Sequence, residues 1–281
     1  MTNDNFFQIT QNRIEISGVK GEHRFLHISD THICHTDGLS TPQEAEMAAK
    51  KEASWQNVKR DFAKHFGERF GKEQEITSTE AFGKLIDYAA EQEPKALIMS
   101  GDIVDFVHSA GLRFVTDRLE KSGLTYLYAN GNHEGSFASH PELMSLNGGT
   151  DDIGVYRGDG FIIAAIDNSA KTVSDKQLNQ LKELFECGTP VILVMHIPLS
   201  LEYNRENMKV FGEYFLLKDT TDDKNAKELI NMIVAPDSPV KAILCGHVHG
   251  YHKGDFAPGR PQICSSSSLI GAVDDVVICG K

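Results

Sequence analysis

Short apolar runs recur along this chain with helical patterns between them, and that alternation restricts its fold more than any other feature. Residues 25–29, 96–100, 125–129, 191–195 and 240–245 read as buried strands, with further strands at 161–166 and around 273–279. Ser78 opens a helical pattern carrying Leu85, Ile86, Tyr88 and Ala89 that must stop before Pro94. Ser174 caps a second, with Leu178, Leu181, Leu184 and Phe185 on one face and Gly188 just past its end, and residues 222–233 form a third. Residues 41–71 are charged and helix-prone, with Trp55, Phe62 and Phe66 in a partial apolar stripe that reads as packing. Strands and helices in alternation predict an α/β protein with internally covered sheets.

A chain of 281 residues can bury a large core, and a single domain, 1–281, is the simplest reading, with insertions expected at 36–75 and 198–221. With 28 basic and 40 acidic residues the formal charge is −12, so no broad basic face is available for extended nucleic acid, although a small nucleotide remains compatible. The five cysteines are odd in number and form no C-x-x-C pair, which argues for reduced thiols rather than a disulfide framework or a thiolate zinc site. The first residues have no basic stretch followed by an apolar one, and the apolar runs are too short to span a bilayer. The expectation is therefore a cytoplasmic protein without a membrane partner.

Directly after the five strands come Asp30-Thr-His32, Gly101-Asp102-Ile-Val-Asp105, Gly131-Asn132-His133-Glu134, His196 and Gly246-His247-Val-His249. The carboxyl ends of strands form the site-bearing edge of α/β sheets, so these loops are expected to converge. Asp30 and His32 are two apart, as are His247 and His249, and in an extended segment each pair would point one way and grip one ion. The preceding glycines allow turns and close approach. Carboxylate, imidazole and amide donors without thiolate suit Mn, Fe, Zn, Co or Ni. A lone Asp-x-His is usually structural. With 12 His and 24 Gly, however, G-H-x-H is expected by chance only about 0.04 times in this chain, and four further motifs accompany it in order.

The ordered motifs resemble those of the calcineurin-like metallophosphoesterase superfamily, over the chain from about Phe25 to Gly250. The resemblance implies a β-sandwich flanked by helices with a dinuclear metal centre at the strand carboxyl ends. It implies that Asp30, His32 and His249 hold one ion, that Asn132, His196 and His247 hold the other, and that Asp102 bridges them. His133 would lie at the scissile ester and Asp105 would orient it. Protein Ser/Thr phosphatases of the superfamily continue their second motif with Arg-Gly after the last Asp, where this chain has Phe106-Val-His108. Purple acid phosphatases have Tyr in place of Asp105, and lipid-A pathway pyrophosphatases have Arg in place of His133. What remains is similar to the bacterial group that contains cyclic-nucleotide phosphodiesterases.

Two cations about 3.5–4 Å apart can hold a bridging hydroxide, polarise phosphoryl oxygens and stabilise in-line displacement, while His133 assists the leaving group. The expected function is hydrolysis of a small phosphodiester. Phosphomonoesterase or nucleotidase activity is the alternative at the same centre, and a non-catalytic scaffold is the reading from another class. Tyr203, Asn204 and Arg205, in the loop after His196, are candidate substrate contacts. His27 reads as a hydrogen-bonded sheet residue, His35 and His108 as solvent-facing loop residues, His252 as a turn residue, and Cys34 and Cys245 as packing.

Overall fold

The computed structural model describes residues 5–281, so the first four residues of the expected single domain lie outside the described residues. The strands are β1 (Gln8–Glu15), β2 (Glu22–Ile28), β3 (Leu97–Met99), β4 (Tyr126–Tyr128), β5 (Gly154–Arg157), β6 (Ile162–Ala165) and β7 (Val191–Val194). They continue as β8 (Leu199–Ser200), β9 (Leu217–Lys218), β10 (Val240–Cys245), β11 (His252–Ala257), β12 (Arg260–Cys264) and β13 (Ala272–Cys279). The α-helices are α1 (Pro42–Phe66), α2 (Ser78–Gln92), α3 (Ser109–Ser122), α4 (Asp175–Glu186), α5 (Arg205–Met208) and α6 (Lys224–Val234).

Two sheets face each other. One has the order β1-β13-β2-β3-β4 and the other β11-β12-β10-β7-β6-β5, and β8 and β9 form a separate two-stranded ribbon. Alternate residues of both sheets, among them Phe25, Ile98, Ile163, Ile192, Leu244 and Val276, fill the space between them, as the two-residue period of a strand requires. The opposite faces are also apolar. One packs on α2 and α3 through Leu26, Leu97, Met99, Phe82, Leu85 and Val115. The other packs on α4 and α6 through Ile162, Leu193, Leu181 and Leu229. With both faces covered, the strands lose polar alternation, which is why β3, β6 and β7 are buried at every residue. The result is the expected β-sandwich flanked by helices.

The parallel runs β2-β3-β4 and β12-β10-β7-β6 place their carboxyl ends at one edge. Helix α1 lies over that edge. It starts at a capping box between Thr41 and Glu44 and ends at Gly67, whose φ of 74° is the left-handed conformation of a helix stop. Among the elements that the sequence does not announce are β1, β5, α3 and the hairpin of β11 and β12. The last strand, β13, is central: it pairs parallel to β1 and antiparallel to β2. No helix among the described residues is long and apolar enough to cross a membrane.

Candidate metal centre

The five motifs meet at the shared sheet edge. His32 Nε2 is 3.1 Å from His249 Nε2, and Asp30 Oδ1 is 3.3 Å from His249 Nε2. Beside this group, His196 Nε2 lies 3.3 Å from Asp102 Oδ2, 3.1 Å from Asn132 Oδ1 and 3.2 Å from His247 Nδ1. Asp102 Oδ2 also reaches to 3.9 Å from His32 Nε2 and so faces both groups.

The two clusters fit a pair of cations on the chemistry of their donors. Asp105 accepts from His32 Nδ1 at 3.1 Å, and the Ser100 carbonyl accepts from His196 Nδ1 at 2.8 Å. Each ring is thereby anchored through Nδ1 and turns Nε2 into the centre, the arrangement that orients a metal-binding histidine. Donors about 2.1 Å from one ion sit about 3–3.4 Å from each other, close to the spacing within each cluster.

Backbone strain is concentrated here. Among the described residues, non-glycine residues with positive φ are Asp30, His32, Asp102, His247 and His249, plus Glu93 and Lys171 away from the centre. Such conformations cost on the order of 1–3 kcal/mol each and persist where the surroundings over-determine them. The sequence expectation that Asp30/His32 and His247/His249 share a direction because they are extended is therefore corrected. At φ of 55° and 45°, and of 71° and 56°, each pair is aimed by left-handed turns rather than by strand alternation. The serines of residues 265–268 hold the first turn from behind: Ser267 Oγ donates to the Asp30 carbonyl and Ser268 N to the Ser29 carbonyl.

The glycines act as expected at two positions. A Cβ on Gly101, at φ 96°, would lie 2.6 Å from His196 Nδ1. One on Gly246 would lie 1.8 Å from Ser29 Oγ. Glu134, to which the sequence assigns no role, joins two motif loops. Its carboxylate accepts from the backbone N–H groups of Asp102, Ile103, Val104 and Gly131. Its position directly after His133 was the available signal.

Burial opposes ionisation of Asp102 and Asp30, but the facing histidines outweigh it and hold both carboxyls well below their usual range. Burial likewise opposes protonation of His196, yet Asp102 and Asp30 draw it up to about 9. Burial and the neighbouring His196 push His247 down to about 3. His133 Nδ1 stands 2.7 Å from Asp105 Oδ1, which raises the imidazole to about 9 against the effect of burial. Lys51, from α1, brings its ammonium 3.1 Å from the other Asp105 oxygen.

A cavity of about 650 Å³ opens over the centre. Trp55, Phe62 and Phe66 of α1 form one wall, and Phe211 and Phe215 form the other. The α1 stripe, read from sequence as packing, is thus part of the site: Trp55 stacks on His32 with ring centroids 3.9 Å apart, and Phe62 meets His249 edge-on at 5.2 Å. The candidate substrate contacts in the other segment lie elsewhere. Asn204 is buried, with its side chain bonded to Leu201 N and the Leu199 carbonyl. Arg205 is bound to Asp219 at 2.5 Å, and Tyr203 borders a separate depression beside Asp219 and Phe256. Residues 209–215, further along the same loop, are the part that reaches the centre.

His27 is a buried sheet residue as expected, bridging Asp274 and Ser100. His108 corrects its solvent-facing reading, being buried with Nε2 2.6 Å from the His35 carbonyl. His35 stacks on Phe114, and His252 begins β11 rather than a turn. The cysteines are free, with Cys34 and Cys245 buried.

The family profile described as calcineurin-like phosphoesterase matches residues 23–251. A dimetal phosphatase from Danio rerio superposes with a TM-score of 0.51 at 12% identity, covering 88% of each chain. A Haemophilus influenzae NAD nucleotidase gives 0.44 at 12% identity over 92% of this chain and 52% of its own. A purple acid phosphatase from yellow lupin, Lupinus luteus, gives 0.43 at 12% over 95% and 45%. No curated protein sequence matches the chain.

Proposed function

The chain belongs to the calcineurin-like phosphoesterase family, which hydrolyses phosphoester bonds at a dinuclear metal centre, and from that premise we propose that it is a phosphodiesterase acting on a small substrate. Asp30, His32 and His249 would hold one transition-metal ion, Asn132, His196 and His247 the other, and Asp102 both. When bound, the two ions would supply an activated water and charge stabilisation for the phosphoryl group. The single observation that carries the metal assignment is the convergence of imidazole nitrogens and carboxylate oxygens in adjoining clusters.

His133 is the proton donor in this reading. Asp105 occupies its Nδ1, which leaves Nε2 for the cavity that the ring lines. Asp105 favours the imidazolium, so a proton is available for a departing alkoxide. The diester preference rests on charge. No Lys or Arg lines the cavity, Arg205 is committed to Asp219, and Lys51 is committed to Asp105. A monoester dianion needs more cationic groups around its free oxygens than a diester monoanion does.

The test is metal analysis after loading with Mn, Fe or Zn, followed by kcat/KM for bis-nitrophenyl phosphate and nitrophenyl phosphate under matched conditions. About two ions per chain and faster diester cleavage are expected. Absence of bound metal would remove the basis of the reading. A tenfold preference for the monoester, about 1.4 kcal/mol of transition-state discrimination, would replace it with a phosphomonoesterase.

A further inference from the structure

We propose that the phosphoester cleaved here carries a bulky apolar or aromatic substituent, seated between α1 and residues 209–215. This deepens the phosphoesterase reading and rests on it. The cavity over the centre is about 650 Å³, within the range of about 300–1,000 Å³ usual for small-molecule sites. That leaves ample room beyond a phosphoryl group. Its walls are Trp55, Phe62 and Phe66 on one side and Val210, Phe211 and Phe215 on the other. The walls meet where Phe66 and Phe211 approach to 5.8 Å between ring centroids.

Two observations identify the occupant. First, apolar side chains stand in solvent at this place: Phe62 is 39% exposed, Phe215 48% and Val210 64%. Exposed apolar surface gathered around a cleft beside polar catalytic groups marks a ligand groove. Second, no lining residue is a Lys or Arg, whereas Asp61 is there. A second phosphate or a carboxylate on the substrate would find no Lys or Arg in these walls and would face Asp61. A substituent that buries a flat ring or an alkyl chain removes apolar area from water on both sides.

The reaction to measure is balanced simply. Water adds its oxygen to phosphorus, the P–O bond to nitrophenol breaks with its electron pair on the phenolate, and the two protons of water go to product and solvent. The metal-loaded full chain would be assayed with nitrophenyl diesters whose second substituent is methyl, phenyl or carboxyethyl, so the leaving group stays constant. We expect kcat/KM for the phenyl ester to exceed the methyl ester by about tenfold or more, with the carboxyethyl ester below both. Phe211→Ala and, separately, Phe215→Ala should bring the phenyl-to-methyl ratio down toward one. That ratio is internal to each preparation, so partial misfolding does not mimic the result. Turnover of the methyl ester with a smaller ratio, or a ratio untouched by both variants, overturns this inference alone. No turnover of any ester by protein carrying two ions overturns the phosphoesterase reading and this inference with it.

Discussion

Asp105 Oδ1 lies 2.7 Å from His133 Nδ1 and is the reason that imidazole sits at about 9. On the proposed mechanism, His133→Ala should lower turnover by roughly 10²–10⁴-fold, the usual loss for general-acid assistance. Metal content should hardly change, and the loss should shrink for a nitrophenolate leaving group, which needs little protonation. A variant that instead sheds one ion would make His133 a ligand.

Asp102 faces both clusters, at 3.3 Å from His196 Nε2 and 3.9 Å from His32 Nε2. Asp102→Ala should therefore be the most damaging single ligand change, reducing occupancy of both ions, whereas His249→Ala should reduce chiefly one. Elemental analysis of both variants after identical loading checks this. Equal losses would remove the bridging role.

Glu134 ties the Asp102 loop to the Gly131 loop through four backbone N–H groups. Glu134→Gln keeps the shape but turns an amide NH₂ toward N–H donors. It should destabilise the fold by about 2–4 kcal/mol, since buried backbone N–H groups lose their acceptor and are left unsatisfied. Urea unfolding of the metal-free protein measures it. A change below about 0.5 kcal/mol would mean that the loops hold without this carboxylate.

Lys59 offers a pH test on a side chain that is not itself among the proposed ligands. Its side chain is buried in α1, donates to the Ile76 carbonyl at 2.7 Å, and has an ammonium pushed down by burial to about 8. Between pH 8 and the ordinary lysine value of 10.5, the unfolded chain binds more protons than the folded one, so this group makes stability rise with pH across that window. Lys59→Met removes the titration. Denaturation midpoints of the two proteins should converge or cross in favour of the wild type as pH increases from 7 to 10.5, and parallel profiles would refute the assignment.

The strand-end motifs were legible because a covered sheet demands continuous apolar runs, and polar residues directly after such runs stand out. Strand β1 was not legible, since Gln8, Thr10, Gln11 and Asn12 leave little apolar signal and its pairing to β13 spans most of the chain. Helix α3 was hidden by Gly111 near its start and by His108 at its N-cap, which makes no side-chain capping bond. Trp55 was seen but misread, because periodicity identifies an apolar face without saying what it covers. Composition marks the loop after His196 without saying which part of it turns back over the edge: Phe211 and Phe215 line the cavity over the centre, and Tyr203 a separate depression.

The central place of β13 bears on how the protein is made. The strand separates β1 from β2, and the serines just before it brace the turn at Asp30. During synthesis, β1 waits without its pairing partner until residues 272–279 emerge, while β2, β3 and β4 can already associate. Contacts of such sequence separation are slow to form and leave strand edges open meanwhile. A ribosome-bound chain halted before residue 272 should thus be cut readily by protease near residues 8–15 and 29–32, and one released after residue 279 should resist. Equal resistance of the two would mean that the sheet closes without its final strand.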